Sequence, residues 1–499
     1  MGAVDLGPRR PDRTLLLLAA LTVAAGVLRF ATIDVQSLWG DEAATVLLLR
    51  KGLGDMLSSL PGSESAPPLY YVLAWFWEHV FGSGAIGVRS FSALVGTLTV
   101  PVAYLAGSAA SRRVGLWAAA VAACSPLTFY YAQETRAYAL LVLLAGLGLA
   151  VWQRAMDDPS RGRLAAWAAV GGLSLLTHYF ALFLVVPEAV ALVRRVGLRR
   201  VAGELLGLAV VGAALLPLAL RQRRDGKSAW IETTSLASRM GQVPKQFLVG
   251  LDGPAEILTA LAAAALAAAA VALLLRRGDA RERRVAAGAA WVAGVGLALP
   301  LALSVTKAVD VFNGRNVVEA WVPAAVVVAA GLGAARARWA GAALGTALCA
   351  LSLGVVGGVL ADPGVQRDDW RGVSEALRAA SPSSERLVAG PANEDGPFAV
   401  YLPGSRQAGR SGTDATWRTR ELALVALRVR RTARSSLPPP APAHAPRGFR
   451  LMGRTTTKTY MVTLYAAPRP VAVRTRDLAA DLGDPEASFA WQAAQRGAG

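Results

Sequence analysis

Asp41 and Glu42 stand side by side in IDVQSLWGDEAATVLLLRKG, just after Trp39, an indole of the kind that marks a membrane surface. Adjacent side chains leave a helix or a strand in different directions. One carboxylate can therefore take a proton from a reacting hydroxyl while the other orients it or binds elsewhere. The pair could also hold a divalent cation, although the sequence offers no complete set of oxygen ligands around it. The structural alternative is a capped helix start, where the helix dipole favours negative charge.

A second cluster lies in SPLTFYYAQETRAYALLVLL, residues 125–144. If a helix begins near Gln133, Glu134 and Tyr138 share one face, as do Gln133 and Arg136. Charges this close to hydrocarbon are costly unless paired or functional. Arginine suits phosphate, because its planar fork of donors carries a permanent charge. Alternatively, Glu134 and Arg136 satisfy each other and the tyrosines form an interfacial belt. Arg89 in GVRSFS, His178 in LTHYF, and Lys307, Arg315 and Asn316 in TKAVDVFNGRN are further candidates. Each has a plain alternative. Arg89, Arg315 and Arg29 could snorkel from helix ends, and His178 could be a buried, hydrogen-bonded histidine.

The elements that must position these residues are membrane-spanning helices. The chain has 499 residues, 54% of them hydrophobic and 17% charged, against about 25% charged in soluble domains. Its apolar residues come in blocks of about twenty, the length needed to cross a bilayer. The blocks predict about eleven spans, near residues 14–33, 86–109, 114–130, 137–153, 164–178, 179–193, 201–220, 255–275, 285–306, 317–335 and 339–360. The stretch 66–82 is apolar but short. Its Tyr70, Trp75 and Trp77 suit an interfacial or re-entrant helix. The basic start and first apolar run resemble a signal peptide, but the run is long and further spans follow, so it reads as an uncleaved first span. Cys124 and Cys349 lie inside apolar blocks and read as small hydrophobes. His79, His178 and His444 show no metal-ligand spacing.

Charge sets the expected sidedness. The formal net charge is +18, and much of it sits in short loops between apolar blocks. GPRRPDR, SRR, RAMDDPSRGR, RRVGLRR, RRGDARERR and RAR all fall on the side of the N-terminus, which the positive-inside rule makes cytoplasmic. Residues 1–13 are then cytoplasmic and the acidic and aromatic motifs are outside, in a catalytic outer loop 34–85. The basic loop 221–254 is an exception. Attraction to anionic lipid is a compatible second reason for the charge. No zinc-finger spacing or RNA-binding motif appears, so nucleic acid is not an expected partner. No Gly-rich phosphate loop or Rossmann fingerprint appears either, and the cytoplasmic loops are short. Those features disfavour a nucleotide-hydrolysing pump or a cytoplasmic nucleotide-sugar enzyme. Residues 361–499 carry more charge and proline. RDDWRGVSEALRAA reads as a helix, RLVAG, FAVYL and TYMVTLYAA as β-like runs, and SSLPPPAPAHAPRG as an irregular loop. The expectation is a small α/β extracytoplasmic domain.

LWGDEA, APPLYYVL, VRSFSALVG and SPLTFYYAQETRAYAL, in that order and on the outer side, resemble glycosyltransferase family 39. That group includes the protein O-mannosyltransferases, the aminoarabinose transferase of lipid A and bacterial lipopolysaccharide-core galacturonosyltransferases. The resemblance is strongest over about residues 10–195. It thins through 200–360, where GRNVVEAWVPA resembles the Arg-containing entry to a late span, and DDWRGVSEALR resembles the start of the family's outer tail domain. The resemblance implies a GT-C fold: an all-α polytopic core, 14–360, with the α/β domain outside a plasma (inner) membrane. It implies a polyprenyl-phosphate-linked sugar as donor and inverting transfer to a hydroxyl on a lipid, glycan or protein acceptor. By resemblance, Asp41 matches the catalytic aspartate of the first outer loop, Glu42 its acidic neighbour, and Arg136 an arginine near the donor phosphate. Arg315 matches a late-span phosphate contact, although Asn316 stands where the family has an aromatic. Gln133, Glu134, Tyr138, Arg89 and His178 are the other candidates for the donor site. A transporter or flippase of lipid-linked intermediates would be expected to show paired repeats and helices broken near mid-membrane, and no repeat stands out. A non-catalytic envelope scaffold predicts that the outer acids can be neutralised without effect.

Overall fold

A computed structural model describes residues 12–224, 229–392, 395–402, 404–409, 415–428, 445–481 and 487–494. In chain order the first helices are α1 (Arg13–Ala31), α2 (Gly40–Leu49), α3 (Leu53–Ser63), α4 (Leu69–Phe81), α5 (Ala85–Gly107), α6 (Arg112–Cys124), α7 (Pro126–Ala132) and α8 (Tyr138–Asp157). Then come α9 (Arg161–Thr177), α10 (Leu182–Val196), α11 (Leu198–Arg224), α12 (Leu236–Val249), α13 (Glu256–Arg277), α14 (Ala280–Val305), α15 (Trp321–Leu332) and α16 (Arg338–Ala361). The C-terminal part holds α17 (Trp370–Ala379), β1 (Arg386–Ala392), α18 (Asp395–Tyr401), β2 (Arg406–Gly409), β3 (Thr416–Leu427), β4 (Arg450–Thr456), β5 (Tyr460–Arg474), α19 (Thr475–Asp481) and β6 (Ala487–Gln492). By packing, the described residues fall into two compact units. One takes in those within 1–33, 53–82 and 86–358, the other those within 34–52, 83–85 and 359–499.

The first unit is a polytopic helical bundle. Among the described residues seven helices are long and apolar enough to cross a membrane: α1, α5, α8, α11, α13, α14 and α16. An eighth span forms if α6 and α7, bent by 59° at Ser125, are taken together. That is fewer than the eleven expected. The three other apolar blocks do form helices, but α9, α10 and α15 have only 17, 15 and 12 residues. Polar residues interrupt them. His178 caps α9 and its Nδ1 accepts the Phe180 N–H at 3.4 Å, after which residues 179–181 make a tight 3-10 turn. Two more such turns, 314–316 and 318–320, precede α15. Hydropathy reads through such breaks, because the flanking residues stay apolar. Small residues let the helices approach closely. A Cβ on Gly331 would sit 1.8 Å from the Ala270 carbonyl oxygen, so α15 and α13 touch backbone to backbone there. The short helix expected from 66–82 is α4, with 13 residues.

The second unit contains a six-stranded mixed sheet in the order β2-β6-β1-β3-β5-β4, in which β1 and β3 are parallel and the other pairs antiparallel. Side chains alternate across it. Leu387, Leu422, Leu424 and Phe489 enter one core, while Val388, Ala423, Val425 and Ala490 face α17 and α18 in another. The expected strands at RLVAG and TYMVTLYAA are β1 and β5, and RDDWRGVSEALRAA contains α17. FAVYL is not a strand. It belongs to α18, because Phe398 and Leu402 are one helical turn apart and both bury in the second core, Phe398 against Trp370 at 4.9 Å. Most of the irregular loop expected at 435–448 lies outside the described residues.

Candidate active site

The break between α7 and α8 holds a cluster of buried polar residues. The helix expected to start near Gln133 starts only at Tyr138, so Gln133, Glu134, Thr135 and Arg136 lie in a non-helical turn. All four are buried. Irregular backbone inside a bundle persists where the protein buries it or it lines a cavity. Gln133 Nε2 donates to the Arg29 carbonyl at 3.0 Å and to Thr32 Oγ1 at 2.6 Å. Arg29 does not snorkel. It is fully buried and donates to the carbonyls of Ala25 and Ala122, both at 3.1 Å. Arg89 does not snorkel either: it is buried, with Nη1 donating to the Ile33 carbonyl at 3.1 Å.

Arg136 pairs with Glu64. Its Nη1 donates to both carboxylate oxygens, at 3.0 and 2.8 Å, and both side chains are buried. That side-chain partner comes from the residue just after α3, 72 positions earlier. The Tyr71 hydroxyl from α4 also donates to Glu64 and lies within electrostatic reach of Arg136 and Tyr138. Tyr138 packs its ring 5.0 Å from Tyr131 and 5.9 Å from His178. Arg136 and Arg315 both lie within electrostatic reach of His178, and Glu134 and Arg315 within reach of Tyr131. Glu134, Arg136, Tyr138, His178 and Arg315 thus gather around one place, with Gln133 beside them in the turn. Arg89 contacts a different carbonyl.

The loop before α15 positions Arg315. Arg239 on α12 donates to Asp310 at 2.7 and 2.6 Å and to the Phe312 carbonyl at 2.8 Å. Ser304 Oγ accepts the Val311 and Phe312 N–H groups, and Asn316 Nδ2 donates to the Val311 carbonyl. Asn316 is thus a loop brace, and Lys307, at a positive φ of 56°, is exposed. Hydrogen bonding by Arg239, and less by the Ser304 hydroxyl, holds the Asp310 carboxyl below the usual carboxylate range.

In the second unit the acid pair separates by role. Glu42 is fully buried at the first turn of α2. It accepts the Trp39 N–H at 3.5 Å and lies 3.8 Å from Arg367, itself buried. The capping alternative therefore describes Glu42. Asp41 is half-buried. Around them the chain is laced to the C-terminal part. The Arg367 N–H donates to Gln36 Oε1 at 3.0 Å, Ser37 Oγ donates to Asp369 Oδ1 at 3.3 Å, and the Leu38 N–H donates to the Tyr401 hydroxyl at 2.7 Å. Arg371 also pairs with Asp34. Among the described residues no three His, Cys, Asp or Glu side chains come together as a metal site.

Residues 65–220 match the family model for dolichyl-phosphate-mannose-protein mannosyltransferase. That stretch of the chain is similar to a family of membrane glycosyltransferases. Arg89, Gln133, Glu134, Arg136, Tyr138 and His178 fall inside the match. Asp41, Glu42, Glu64 and Arg315 fall outside it. No curated protein matches the chain in sequence. Crystal structures of ArnT from Cupriavidus metallidurans are similar at 17% identity. The apo state has a TM-score of 0.48 over 73% of this chain and 69% of that one. The form bound to undecaprenyl phosphate has a TM-score of 0.44, over 70% and 65%. The apo oligosaccharyltransferase of Archaeoglobus fulgidus is similar at 12% identity and a TM-score of 0.46, over 75% of this chain but 59% of that longer one. Sequence reasoning passed over Glu64 and Tyr71. The available signal was an acid three residues before the Pro-Pro of SESAPPLYY, at the edge of an apolar helix.

Proposed function

We propose that this protein is a membrane glycosyltransferase that moves a sugar from a polyprenyl-phosphate donor to an acceptor hydroxyl outside the cytoplasm, with inversion. The observation that carries the reading is the buried cluster around Arg136. It gathers two arginines, a histidine and three tyrosines in a helix break, a costly arrangement in hydrocarbon unless a ligand uses it. A lipid-linked donor presents one phosphate at the membrane boundary while its chain stays among the lipids. Arg136 and Arg315 supply the charge such a phosphate needs. Glu64 neutralises and orients Arg136 until the donor arrives.

The chemistry balances as a single displacement. Asp41 takes the proton of the acceptor hydroxyl. The hydroxyl oxygen forms a bond to the anomeric carbon from the face opposite the phosphate. The anomeric carbon–oxygen bond to phosphate breaks, and the polyprenyl phosphate leaves with the bonding pair, its charge stabilised by Arg136. Glu42, a buried cap, holds the helix that presents Asp41. The test is sugar release from a synthetic polyprenyl-phosphate donor by the purified protein in vesicles. Arg136→Lys removes the planar fork and should cost a hundredfold or more in turnover, about 3 kcal/mol of barrier. Unchanged kinetics would remove Arg136 from the phosphate site. Donor uptake without sugar release would favour a transporter instead.

A further inference from the structure

The chain has two cysteines, Cys124 and Cys349, 225 positions apart. The fold brings their thiols within hydrogen-bonding reach of each other. Cys124 is the last residue of α6, and Cys349 stands halfway along α16. The two helices also touch through side chains nearby. A Cβ on Gly345 would sit 2.4 Å from the Trp117 ring, and Val121 packs against the cluster that holds Leu348. Trp117, Val121 and Cys124 recur at helical spacing on one side of α6. Neither thiol is sealed in the core, for both are half-buried.

We propose that Cys124 and Cys349 form a reversible cross-linking site, tying α16 to α6 through a disulfide. Two S–H bonds break and one S–S bond forms. The two electrons and two protons pass to a lipid-soluble quinone, which becomes the quinol. An oxidant of that class reaches half-buried thiols through the bilayer. The tie lands at a hinge: Ser125, next to Cys124, is where α6 turns by 59° into α7, which leads on to the turn that holds Arg136. A bond there fixes the bend of the broken span.

Thiol chemistry tests this independently of sugar transfer, so its failure and the failure of the proposed activity are distinguishable. The purified full-length protein is treated with diamide, which takes up two hydrogens per disulfide, or with a short-chain quinone. It is then denatured and its free thiols are counted with a maleimide. Both thiols should disappear together in a monomer and return with dithiothreitol, and mass spectrometry should find one peptide pair joining 124 to 349. In Cys349→Ser, Cys124 should stay reactive at the same dose. The oxidised protein should also melt higher than the double Cys→Ser variant, because the cross-link closes a long loop. Stepwise loss of the thiols, cross-links only between molecules, or equal loss of Cys124 in Cys349→Ser would overturn the proposal.

Discussion

At the scale of single residues, two adjacent acids carry opposite expectations. Glu42 is fully buried beside Arg367 and accepts a backbone N–H, so its charge belongs to the fold. Replacing it with glutamine leaves the buried Arg367 guanidinium beside a neutral amide. Breaking a buried pair of this kind costs about 3–5 kcal/mol. Glu42→Gln should therefore lower the melting temperature and, with it, transfer. Asp41 is half-buried one position earlier. Asp41→Asn should melt like the parent protein and still lose transfer by about 10²–10⁴, the usual contribution of a positioned base. Circular dichroism melts and a donor-release assay on both variants check this. Full turnover in purified Asp41→Asn would end its role as base.

Elements set where those residues can be. Gly331 lets α15 meet α13, and Gly331→Ala would push a methyl group toward the Ala270 carbonyl, 1.8 Å from the Cβ position. Overpacking of this kind costs about 1–3 kcal/mol, so the variant should insert but melt lower in detergent. The loop before α15 makes a different prediction. Because hydrogen bonding by Arg239 depresses the Asp310 carboxyl, Asp310 stabilises the fold fully above the ordinary aspartate value, about pH 4. That contribution is lost as pH falls through the lowered folded value. Asp310→Asn should lower melting most in the neutral range, where the ionised carboxylate contributes fully, and flatten the acid limb, so that variant and parent converge as pH falls. Such elements were unevenly legible in the sequence. Apolar blocks announced the long helices of the bundle, since burial and hydropathy act on whole segments, but not α3 or α12, which lie in stretches that read as loops. They did not announce the bend at Ser125, which depends on single residues. The QETRAY cluster was visible as misplaced charge, but Glu64 was not visible as its partner, because a contact across 72 residues leaves no local pattern.

On the scale of the whole chain, the acid helix and the C-terminal domain fold as one unit. Gln36, Ser37, Leu38 and Glu42 all find partners in the segment from Arg367 to Tyr401. Asp369 ties three parts of that unit together: it accepts from Ser37 Oγ, from Thr459 Oγ1 and from the Gly372 N–H at the start of α17. The C-terminal domain is therefore more than an appendage, since its segment from Arg367 to Tyr401 supplies contacts that hold the start of the acid helix. A chain ending at Gly358 keeps every candidate span but the last turn of α16. It would leave Leu38 and Glu42 without their buried partners, each a loss of about 1–3 kcal/mol for the hydrogen bond to a neutral group and more for the charge. The expected outcome is a membrane-inserted, thermally stable bundle that transfers no sugar and is cut by protease between residues 34 and 52. Limited proteolysis in vesicles reads both halves of that statement. A truncated chain that still transferred sugar, or whose acid helix resisted protease as the full chain does, would show that α2 holds its shape without the domain behind it.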